Sequence, residues 1–418
     1  MKIKLSHLIL ISLICISGCV EKNVVGITGH WRASLETTGG EVPCDMIISE
    51  DEPGSFQVEF HNAEEIVKFS RVVREGSKIK MIYDRFECLI EAELSEDGRT
   101  MSGKWTKTTG EQNHAEFTAV RGKIKRFPES DYPALKKKVP YEDISGSWRF
   151  VFEDPEFEYD CIAYFKQTGH QLTGTIRSQF GDIRYLEGVY RNGLFCLSYF
   201  NGTWVFIFNG EMNKAGIIKG IWARGHQPPT KWTIEKAESN FCDPWKLTKL
   251  TSKDEKFRFC YPKTENPEVN ISNDSPELKG KPYLIVLSIF SCPNSQDHVS
   301  MLSQLYKEYC ERGLEIIFVI MKMPDDIQLI QKRCDRLAEE HDFPAIYAYS
   351  LAMNKERISE NLPDIEKFYS WPTTVFVGRD GRVNAIHSGM DGPGTGIYHH
   401  RLVIKYRVII EQMINPHQ

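Results

Sequence analysis

An internal repeat constrains the fold of this 418-residue chain more than any other feature. Three anchor residues recur at one constant offset, in the pairs Trp31 and Trp148, Cys44 and Cys161, and Trp105 and Trp222. In each copy the two tryptophans lie 74 residues apart, and the cysteine follows the first of them by 13 residues. Because three anchors that share one offset are hard to obtain by chance, the pattern indicates a duplicated module.

Both copies are predicted to be all-β, the first over residues 26–121 and the second over residues 144–237. Short apolar runs alternate with Gly, Asn and Asp, which is typical of strands joined by turns. Regular spacing of short strands favours an antiparallel barrel or sandwich. The Gly-X-Trp sequences near the two ends of each copy resemble those of lipocalin-like barrels. Such a module is either a cup that binds a ligand or a filled barrel, and small barrels are usually filled.

The N-terminus has the features of an export signal. Two lysines precede an apolar run over residues 8–16, which is too short for a permanent membrane span. The four residues Ile-Ser-Gly-Cys that end at Cys19 resemble a bacterial lipobox, which implies removal of residues 1–18 and lipidation of Cys19. An ordinary cleaved signal and an uncleaved anchor are the alternatives. The protein is therefore expected in the bacterial cell envelope, anchored through lipidated Cys19 and facing the periplasm or the exterior.

Composition limits the partners and the cysteine chemistry. The formal net charge of -5 gives no basic excess, so no nucleic-acid partner is expected. No His, Asp or Glu cluster has metal-ligand spacing, and neither a metal nor a cofactor is expected. Nine cysteines follow Cys19, and an odd number leaves at least one unpaired within the chain. Those in the two modules are either buried thiols or one disulfide per copy. The oligomeric state stays open.

Two connectors separate three predicted units. Residues 122–143 are basic and contain prolines, so they are expected to be a solvated linker, with lipid headgroups as an alternative contact. Residues 238–276 contain the turn-forming residues Asn266, Pro267 and Asn270 and are predicted to be a second linker.

A strand that runs directly into a helix marks the candidate chemical site. Residues 284–290 are apolar and β-branched, as in a buried strand, and apolar residues then recur at helical spacing. Cys292 stands at the junction, followed by Pro293, which suits the first turn of a helix. Unpaired N–H groups and the positive end of the helix dipole favour a thiolate, so the pKa of Cys292 is expected to be lowered. Asp297 and His298 in the first turn of the same helix could tune Cys292, but they are interpreted as polar residues on the solvent-facing side of the helix.

Residues 277–415 are predicted to form one α/β domain. Further strands are predicted over 314–321, 373–377 and 383–387, and helices over 325–341 and 398–413. This order of strand, helix, strand, helix, hairpin and closing helix describes a central mixed sheet. The whole chain is thus predicted to be multidomain, with duplicated all-β modules that are barrel- or sandwich-like, followed by an α/β domain.

Four motifs are spread over this domain: Gly280-Lys281-Pro282, Cys292-Pro293-Asn294, Trp371-Pro372-Thr373-Thr374 and Asp380-Gly381-Arg382-Val383. Together they resemble the TlpA/ResA-type family of thioredoxin-like protein disulfide reductases, within the AhpC/TSA-like superfamily. Segments 181–188 and 387–396 extend a looser resemblance over most of the mature chain. The resemblance implies a thioredoxin-like fold with a cis Pro372 facing the reactive cysteine. It also implies a substrate groove at Trp371, Pro372 and Thr373, with Pro293 and Asn294 at the helix N-terminus.

The chain departs from this family at Ser295, where members with disulfide reductase activity carry a second cysteine. Attack by Cys292 on a substrate disulfide gives a mixed disulfide, which Ser295 can only hydrogen-bond. Cys310 cannot replace the missing cysteine, because a continuous helix would place it about 27 Å away. The resemblance therefore implies a monothiol exchange protein that acts on protein thiols and disulfides and is released by an outside thiol.

Two other interpretations stay open. Cys292 could reduce peroxides through a sulfenic acid, but Ile289 stands where the peroxidase subgroup places a threonine, which weakens this option. Alternatively, the domain is a catalytically degenerate binding or structural module, and the β modules carry the function. An accessible Cys292 with a low pKa favours the enzyme, and a buried, inert thiol favours the binder.

Overall fold

The computed structural model describes residues 26–107, 113–130, 142–252, 255–321, 326–350, 358 and 360–415. The expected signal peptide and Cys19 lie outside these ranges. Within them the strands form two large antiparallel sheets and one smaller mixed sheet that packs against helices, so the chain is multidomain and rich in β structure. None of the helices in these ranges combines the length and the apolar character needed to span a bilayer.

The first sheet, called module 1 below, has nine strands in the order β4-β3-β2-β1-β9-β8-β7-β6-β5. They are β1 (Gly29–Thr37), β2 (Gly40–Glu52), β3 (Ser55–Asn62), β4 (Glu65–Lys68), β5 (Arg71–Glu75), β6 (Lys78–Tyr83), β7 (Cys88–Leu94), β8 (Thr100–Lys107) and β9 (Asn113–Arg121). Side chains alternate between core and solvent, as in β7, where Cys88, Ile90 and Leu94 are buried and Glu91 is exposed. This period of two is what a sheet with one buried face requires.

The second sheet, module 2, also has nine strands, and eight of them close into a barrel because β11 pairs with β12 as well as with β10. They are β10 (Gly146–Phe152), β11 (Cys161–Thr168), β12 (Gln171–Ser178), β13 (Gly181–Asp182), β14 (Leu186–Arg191), β15 (Leu194–Phe200), β16 (Val205–Met212), β17 (Ile218–Arg224) and β18 (Thr230–Glu235). Aromatic side chains that include Phe150, Phe195, Phe208 and Trp232 occupy its core. The barrel is therefore packed with side chains, as small barrels usually are.

The first tryptophan of each repeat makes the same contact. The indole N–H of Trp31 donates to the Ile27 carbonyl at 2.9 Å, and that of Trp148 donates to the Ile144 carbonyl at 2.7 Å. Both rings are buried. The repeated sequence thus corresponds to a repeated hydrogen bond, which ties the residues just before each module to its first tryptophan.

The last part of the chain contains the mixed sheet, with strand order β24-β23-β22-β26-β27. Its strands and those that precede it are β19 (Lys249–Leu250), β20 (Cys260–Pro262), β21 (Asn270–Ser272), β22 (Tyr283–Ser288), β23 (Glu315–Ile320), β24 (Ile346–Tyr349), β25 (Ile365–Lys367), β26 (Thr373–Val377) and β27 (Val383–Ser388). The helices are α1 (Pro293–Tyr309), α2 (Ile327–His341) and α3 (Ile397–Ile414). Strand β22 runs parallel to β23 and antiparallel to β26, which is the predicted mixed sheet.

The segment predicted as a second linker is folded onto this sheet instead. All six residues of β22 are buried, and successive side chains of a strand point to opposite faces, so both faces of the sheet need cover. The three helices pack on the face that includes Leu284 and Val286. The opposite face, with Ile285 and Leu287, is covered in part by Phe257, Phe259, Tyr261 and Ile271 from the predicted linker. Turn-forming residues signalled its loops, but not its apolar contribution to the core.

Candidate functional site

Cys292 lies where the sequence places it, between β22 and α1. It is the N-cap residue, with extended backbone, and Pro293 occupies the first helical turn. The N–H groups of Ser295 and Gln296 donate to the Cys292 carbonyl at 3.0 and 3.3 Å. The side chain is partly exposed, whereas Pro293, Asn294 and Ser295 are buried.

The pKa of Cys292 shifts in the direction opposite to the one expected from a helix N-terminus alone. Burial within the site raises the pKa of the thiol, because a thiolate loses hydration there. The backbone N–H groups of Ser295 and Asn294, the Ser295 hydroxyl and the positive charge of Arg184 all lower it, but to a smaller extent. The prediction of a lowered pKa was wrong because it considered only the helix N-terminus. It did not include the burial of the thiol, which is the largest effect.

Of the three residues predicted to form a substrate groove, Trp371 lines the cleft that contains Cys292, whereas Pro372 and Thr373 do not. The Trp371-Pro372 peptide bond is cis, as the resemblance implies. Trp371 and Asn294 line the same cleft as Cys292. Thr373 is buried and donates its hydroxyl hydrogen to the Ser370 carbonyl at 2.7 Å, so it supports the turn and is not exposed in the groove.

No second thiol is available to Cys292 in the part of the chain that the structure describes. None of the nine cysteines there forms a disulfide. Five are buried, namely Cys44, Cys88, Cys161, Cys196 and Cys334. Cys242, Cys260 and Cys310 are at least partly exposed, but none of the eight lines the cleft that contains Cys292. Burial raises the pKa of Cys44, Cys88 and Cys334 to about 12, which makes these three poor nucleophiles.

Module 2 supplies most of the wall opposite Cys292, which the sequence did not predict. The space between them, called the Cys292 cleft below, has a volume of about 300 Å³. Its aromatic lining residues are Phe157, Phe180, Trp204, Phe206, Trp222 and Trp371. Besides Cys292, its ionisable lining residues are Lys107, Arg224, Glu156 and Asp182. The thiol is therefore reached through an aromatic cleft, and not across an open surface.

Arg184 of module 2 holds the first turn of α1. Its guanidinium donates to the Asp297 carboxylate and, at 3.5 Å, to the Pro293 carbonyl. It also donates to Glu65 of module 1 and, at 2.8 Å, to the Tyr199 hydroxyl. Arg184 has a positive φ of 35° and is largely buried together with both carboxylates. Asp297 was interpreted as a solvent-facing polar residue of the helix. That interpretation was wrong because Asp297 is largely buried against Arg184, which comes from a distant part of the chain.

Asp182 forms a second contact between module 2 and the α/β domain. Its backbone carbonyl accepts a hydrogen bond from the Asn294 side-chain amide at 3.0 Å, and its carboxylate accepts one from the Gly392 N–H at 2.6 Å. Burial raises the pKa of Asp182 to about 7, against the opposing effect of the Arg184 charge. The residue whose backbone carbonyl holds Asn294 therefore carries a carboxyl group that titrates near neutral pH.

A close backbone approach and a third ion pair complete this contact. A Cβ atom on Gly181 would lie 2.5 Å from the Asn294 side-chain nitrogen, so the position requires glycine, which also suits its φ of +122°. Arg177 donates two hydrogen bonds to Asp391, at 2.6 and 2.7 Å. The hydrogen bond between Gly392 and the Asp182 carboxylate joins segments 181–188 and 387–396. Both segments carry the looser family resemblance. The presence of both in one chain was the feature of the sequence that could have indicated this contact.

His298 belongs to a buried polar cluster and not to the surface. Its Nε2 atom lies 3.2 Å from both the Tyr406 hydroxyl and the Thr374 hydroxyl, and the Tyr406 hydroxyl lies 3.2 Å from Nδ1 of His387. Burial lowers the pKa of His298 to about 3 and that of His387 well below its usual range. Both rings are neutral at physiological pH, so neither supplies a positive charge to stabilise a thiolate.

A larger cavity of about 590 Å³ lies elsewhere, between the two modules and the basic connector. It is lined by His30, Asp45, His61, His170 and Glu187, among others. It contains none of the site residues predicted from the sequence. Within the described ranges, no three His, Cys, Asp or Glu side chains are grouped so that they could hold a metal ion.

Comparisons with known proteins give similarities in structure only. No protein-family model matches the chain, and no curated protein matches it. A thiol:disulfide interchange protein of the thioredoxin family from Chlorobium tepidum is 12% identical with a TM-score of 0.30, over 39% of this chain and 98% of that one. A thiol-disulfide oxidoreductase from Bacteroides fragilis is 12% identical with a TM-score of 0.26, over 35% of this chain and 96% of that one. The thioredoxin domain of a thiol-disulfide oxidoreductase from Bacteroides vulgatus is 15% identical with a TM-score of 0.28, over 38% and 98%.

Proposed function

We propose that this protein is an exported, lipid-anchored thioredoxin-like protein that exchanges disulfides through the single nucleophile Cys292. The observation that carries the proposal is the position of this thiol. It is partly exposed at the N-terminus of α1, beside Asn294 and Trp371, in a cleft whose described lining contains no second cysteine. Export and lipidation of Cys19 belong to the proposal through the N-terminal sequence alone.

The exchange follows from the chemistry of a lone thiol. Cys292 loses its proton to solvent, and the thiolate attacks one sulfur of a substrate disulfide. The substrate S–S bond breaks, a Cys292–substrate disulfide forms, and the leaving sulfur departs as a thiolate that takes up a proton. An outside thiolate then attacks the substrate sulfur of the mixed disulfide and releases Cys292. Electrons balance because each step replaces one disulfide with another.

The raised pKa of Cys292 sets the expected pH dependence. Below the pKa the thiolate fraction rises about tenfold with each pH unit, so the exchange rate should keep increasing through pH 8. The hydrogen bonds from the Ser295 and Asn294 N–H groups and the charge of Arg184 oppose the effect of burial. The thiol is thus a slow nucleophile at neutral pH whose reactivity depends on the groups around it.

A second candidate function is supported by the same pKa direction. A thiol whose pKa is raised by burial is less reactive than a free cysteine, and the aromatic cleft around it could hold a ligand with no thiol chemistry. In this case the protein is a binding lipoprotein with a degenerate thioredoxin-like domain.

The test measures mixed-disulfide formation at Cys292. Cys242, Cys260 and Cys310 are replaced by serine to remove the other accessible thiols, and the protein is incubated with a disulfide-bonded peptide. Mass spectrometry should show one adduct on Cys292 that forms faster as the pH rises and persists until an outside thiol is added. The matched variant Ser295→Cys should release the peptide without an outside thiol, since it restores a second cysteine.

Cys292→Ser is the control for this experiment. Addition of Cys292→Ser should abolish the adduct. If Cys292 is modified only after the protein is unfolded in denaturant, disulfide exchange is rejected and the binding function remains.

A further inference from the structure

We propose that the Cys292 cleft is a binding site for a small aromatic anion that carries a thiol or disulfide. Its aromatic and anionic part would be held by module 2, which brings the sulfur to Cys292. The thiol part of this inference rests on the proposed function, whereas the binding of an aromatic anion does not. Such a molecule would serve as the outside thiol that the monothiol reaction requires.

The first observation is the aromatic lining. Trp204 stacks on Phe206 with ring centroids 5.2 Å apart and an interplanar angle of 26°, and Phe206 meets Trp222 edge-on at 5.2 Å. Phe157 and Phe180 make another edge contact at 5.2 Å. Rings fixed in this way lose little further conformational freedom when a flat apolar group binds between them.

The second observation is that several buried polar groups which line the cleft, including one donor and one acceptor described here, have no hydrogen-bond partner among the described residues. The indole N–H of Trp222 is a donor without an acceptor, and the side-chain carbonyl oxygen of Asn294 is an acceptor without a donor. Trp222 is 5% exposed and Asn294 is 4% exposed. Because buried polar groups are nearly always paired, these two indicate a ligand with its own acceptor and donor.

The third observation is the charge of the cleft. Lys107 of module 1 and Arg224 of module 2 both line it, against one exposed carboxylate, Glu156. Arg224 lies over the Trp222 ring at 4.4 Å, so the cation is held next to the aromatic wall. Asp182 also lines the cleft, but its carboxyl group is buried, accepts a hydrogen bond from the Gly392 N–H and has a raised pKa. A carboxylate on an aromatic ligand would therefore be favoured here over an ammonium group.

The size of the cleft selects a small molecule over a folded protein. Its volume of about 300 Å³ lies at the lower end of the range of about 300 to 1,000 Å³ that is usual for small-molecule sites. Module 2 is joined to the α/β domain beside the thiol by Arg184, Arg177 and the backbone of Asp182. These contacts hold the module 2 wall of the cleft against the α/β domain.

The chemistry is an exchange in which the small molecule supplies the second thiol. Its thiolate attacks the substrate sulfur of the Cys292–substrate disulfide, forms a new S–S bond with that sulfur and releases Cys292 as a thiolate. In the reverse direction, the disulfide form of the small molecule is attacked by Cys292, which yields a Cys292 mixed disulfide and the free small thiol.

The first experiment tests binding without thiol chemistry. Cys292→Ser protein is titrated by calorimetry with 3-phenylpropionate, and in parallel with 3-phenylpropionamide and propionate. Binding of 3-phenylpropionate should be at least about tenfold tighter than that of either control, since one lacks the charge and the other the ring. Arg224→Gln should weaken it about tenfold. Lys219→Gln, the same charge change at an exposed position of the same strand, should leave it within about twofold.

The second experiment tests delivery to the thiol in the protein that lacks the three accessible cysteines. The rate of Cys292 modification is compared for an aromatic dicarboxylate disulfide, 5,5'-dithiobis(2-nitrobenzoate), and for the cationic aliphatic disulfide cystamine. Each rate is divided by the rate with a free model thiol. Arg224→Gln should reduce the preference for the aromatic anion about tenfold, and Lys219→Gln should not change it.

The outcomes separate the two proposals. Selective binding together with selective modification supports the inference. If both disulfides modify Cys292 at equal normalised rates and 3-phenylpropionate does not bind selectively, the inference is overturned. Disulfide exchange at Cys292 is then still supported. Selective binding with a Cys292 that reacts with neither disulfide supports the binding site and overturns the exchange function. If neither binding nor modification occurs, both are overturned.

Discussion

Trp105 and Trp222 occupy equivalent positions in the two β modules, yet their indole N–H groups face different surroundings. The N–H of Trp105 donates to the Gly202 carbonyl at 2.8 Å, so a loop of module 2 closes this end of module 1. The N–H of Trp222 has no hydrogen-bond partner among the described residues, and the ring lines the Cys292 cleft. The same residue at the same repeat position is thus a closed structural contact in one copy and part of a candidate binding site in the other.

The two modules also contact different parts of the α/β domain. Module 1 meets α2, where Arg333 donates to Glu87 at 2.6 Å and Arg85 donates to Glu340 at 3.0 and 3.2 Å. Module 2 meets the N-terminus of α1, through Arg184 and Asp182. A repeat therefore supplies two similar frameworks, and what lies against each one decides which of them takes part in a site.

The largest expected effect is on the free energy of unfolding. It distinguishes the buried ion pairs of Arg184 in module 2 from the half-exposed ion pair of Arg85 in module 1. Arg184→Ala leaves the carboxylates of Asp297 and Glu65 buried without their cation, which should cost about 3 to 5 kcal/mol of unfolding free energy. Arg85→Ala removes a half-exposed pair of module 1 and should cost about 1 kcal/mol or less. Urea denaturation of both variants measures the difference. Equal losses would mean that module 2 is not held by this buried ion pair.

A second expected effect concerns the pH dependence of the module 2 contact. The folded protein holds the Asp182 proton up to about pH 7, whereas the unfolded chain releases it near the ordinary value of 3.8. The contribution of Asp182 to stability is therefore fully present below about pH 4 and is lost as the pH rises through 7. Asp182→Asn does not titrate, so wild type should lose on the order of 4 kcal/mol relative to it between pH 4 and pH 8.

Denaturation midpoints of wild type and Asp182→Asn across this pH range provide the measurement. Asp97→Asn is a suitable control, since Asp97 is an exposed carboxylate of module 1 whose pKa is lowered by the Ser95 hydroxyl. A pH-independent difference between wild type and Asp182→Asn would show that Asp182 titrates normally in the folded protein.

The smallest expected effect compares the two equivalent tryptophans directly. Trp105→Phe leaves the Gly202 carbonyl without its donor and should destabilise the protein by about 1 to 2 kcal/mol more than Trp222→Phe, which breaks no hydrogen bond. Thermal unfolding of the two variants gives the comparison. If Trp222→Phe costs as much as Trp105→Phe, the Trp222 N–H has a partner in solution, and the cleft loses one of its unpaired groups.

Much of the framework could be predicted because it depends on local sequence. Alternation with period two marked the strands of both modules, and the run into Cys292 and Pro293 marked the start of α1. The assignments that failed share a different cause. Asp297 and His298 have ordinary helical spacing, and the burial of each is imposed by Arg184 or by Tyr406, each more than 100 residues away in the chain.

The sequence by itself determined which segments are strands and helices, where the repeat lies, and that a lone cysteine opens α1. Only the tertiary structure decided that module 2 covers that cysteine, that aromatic rings and two cations surround it, and that its pKa rises. The physical reason is the separation along the chain between the residues that interact. Periodicity, capping and turns act between neighbours, whereas desolvation and charge at Cys292 depend on groups brought to it from separate parts of the chain.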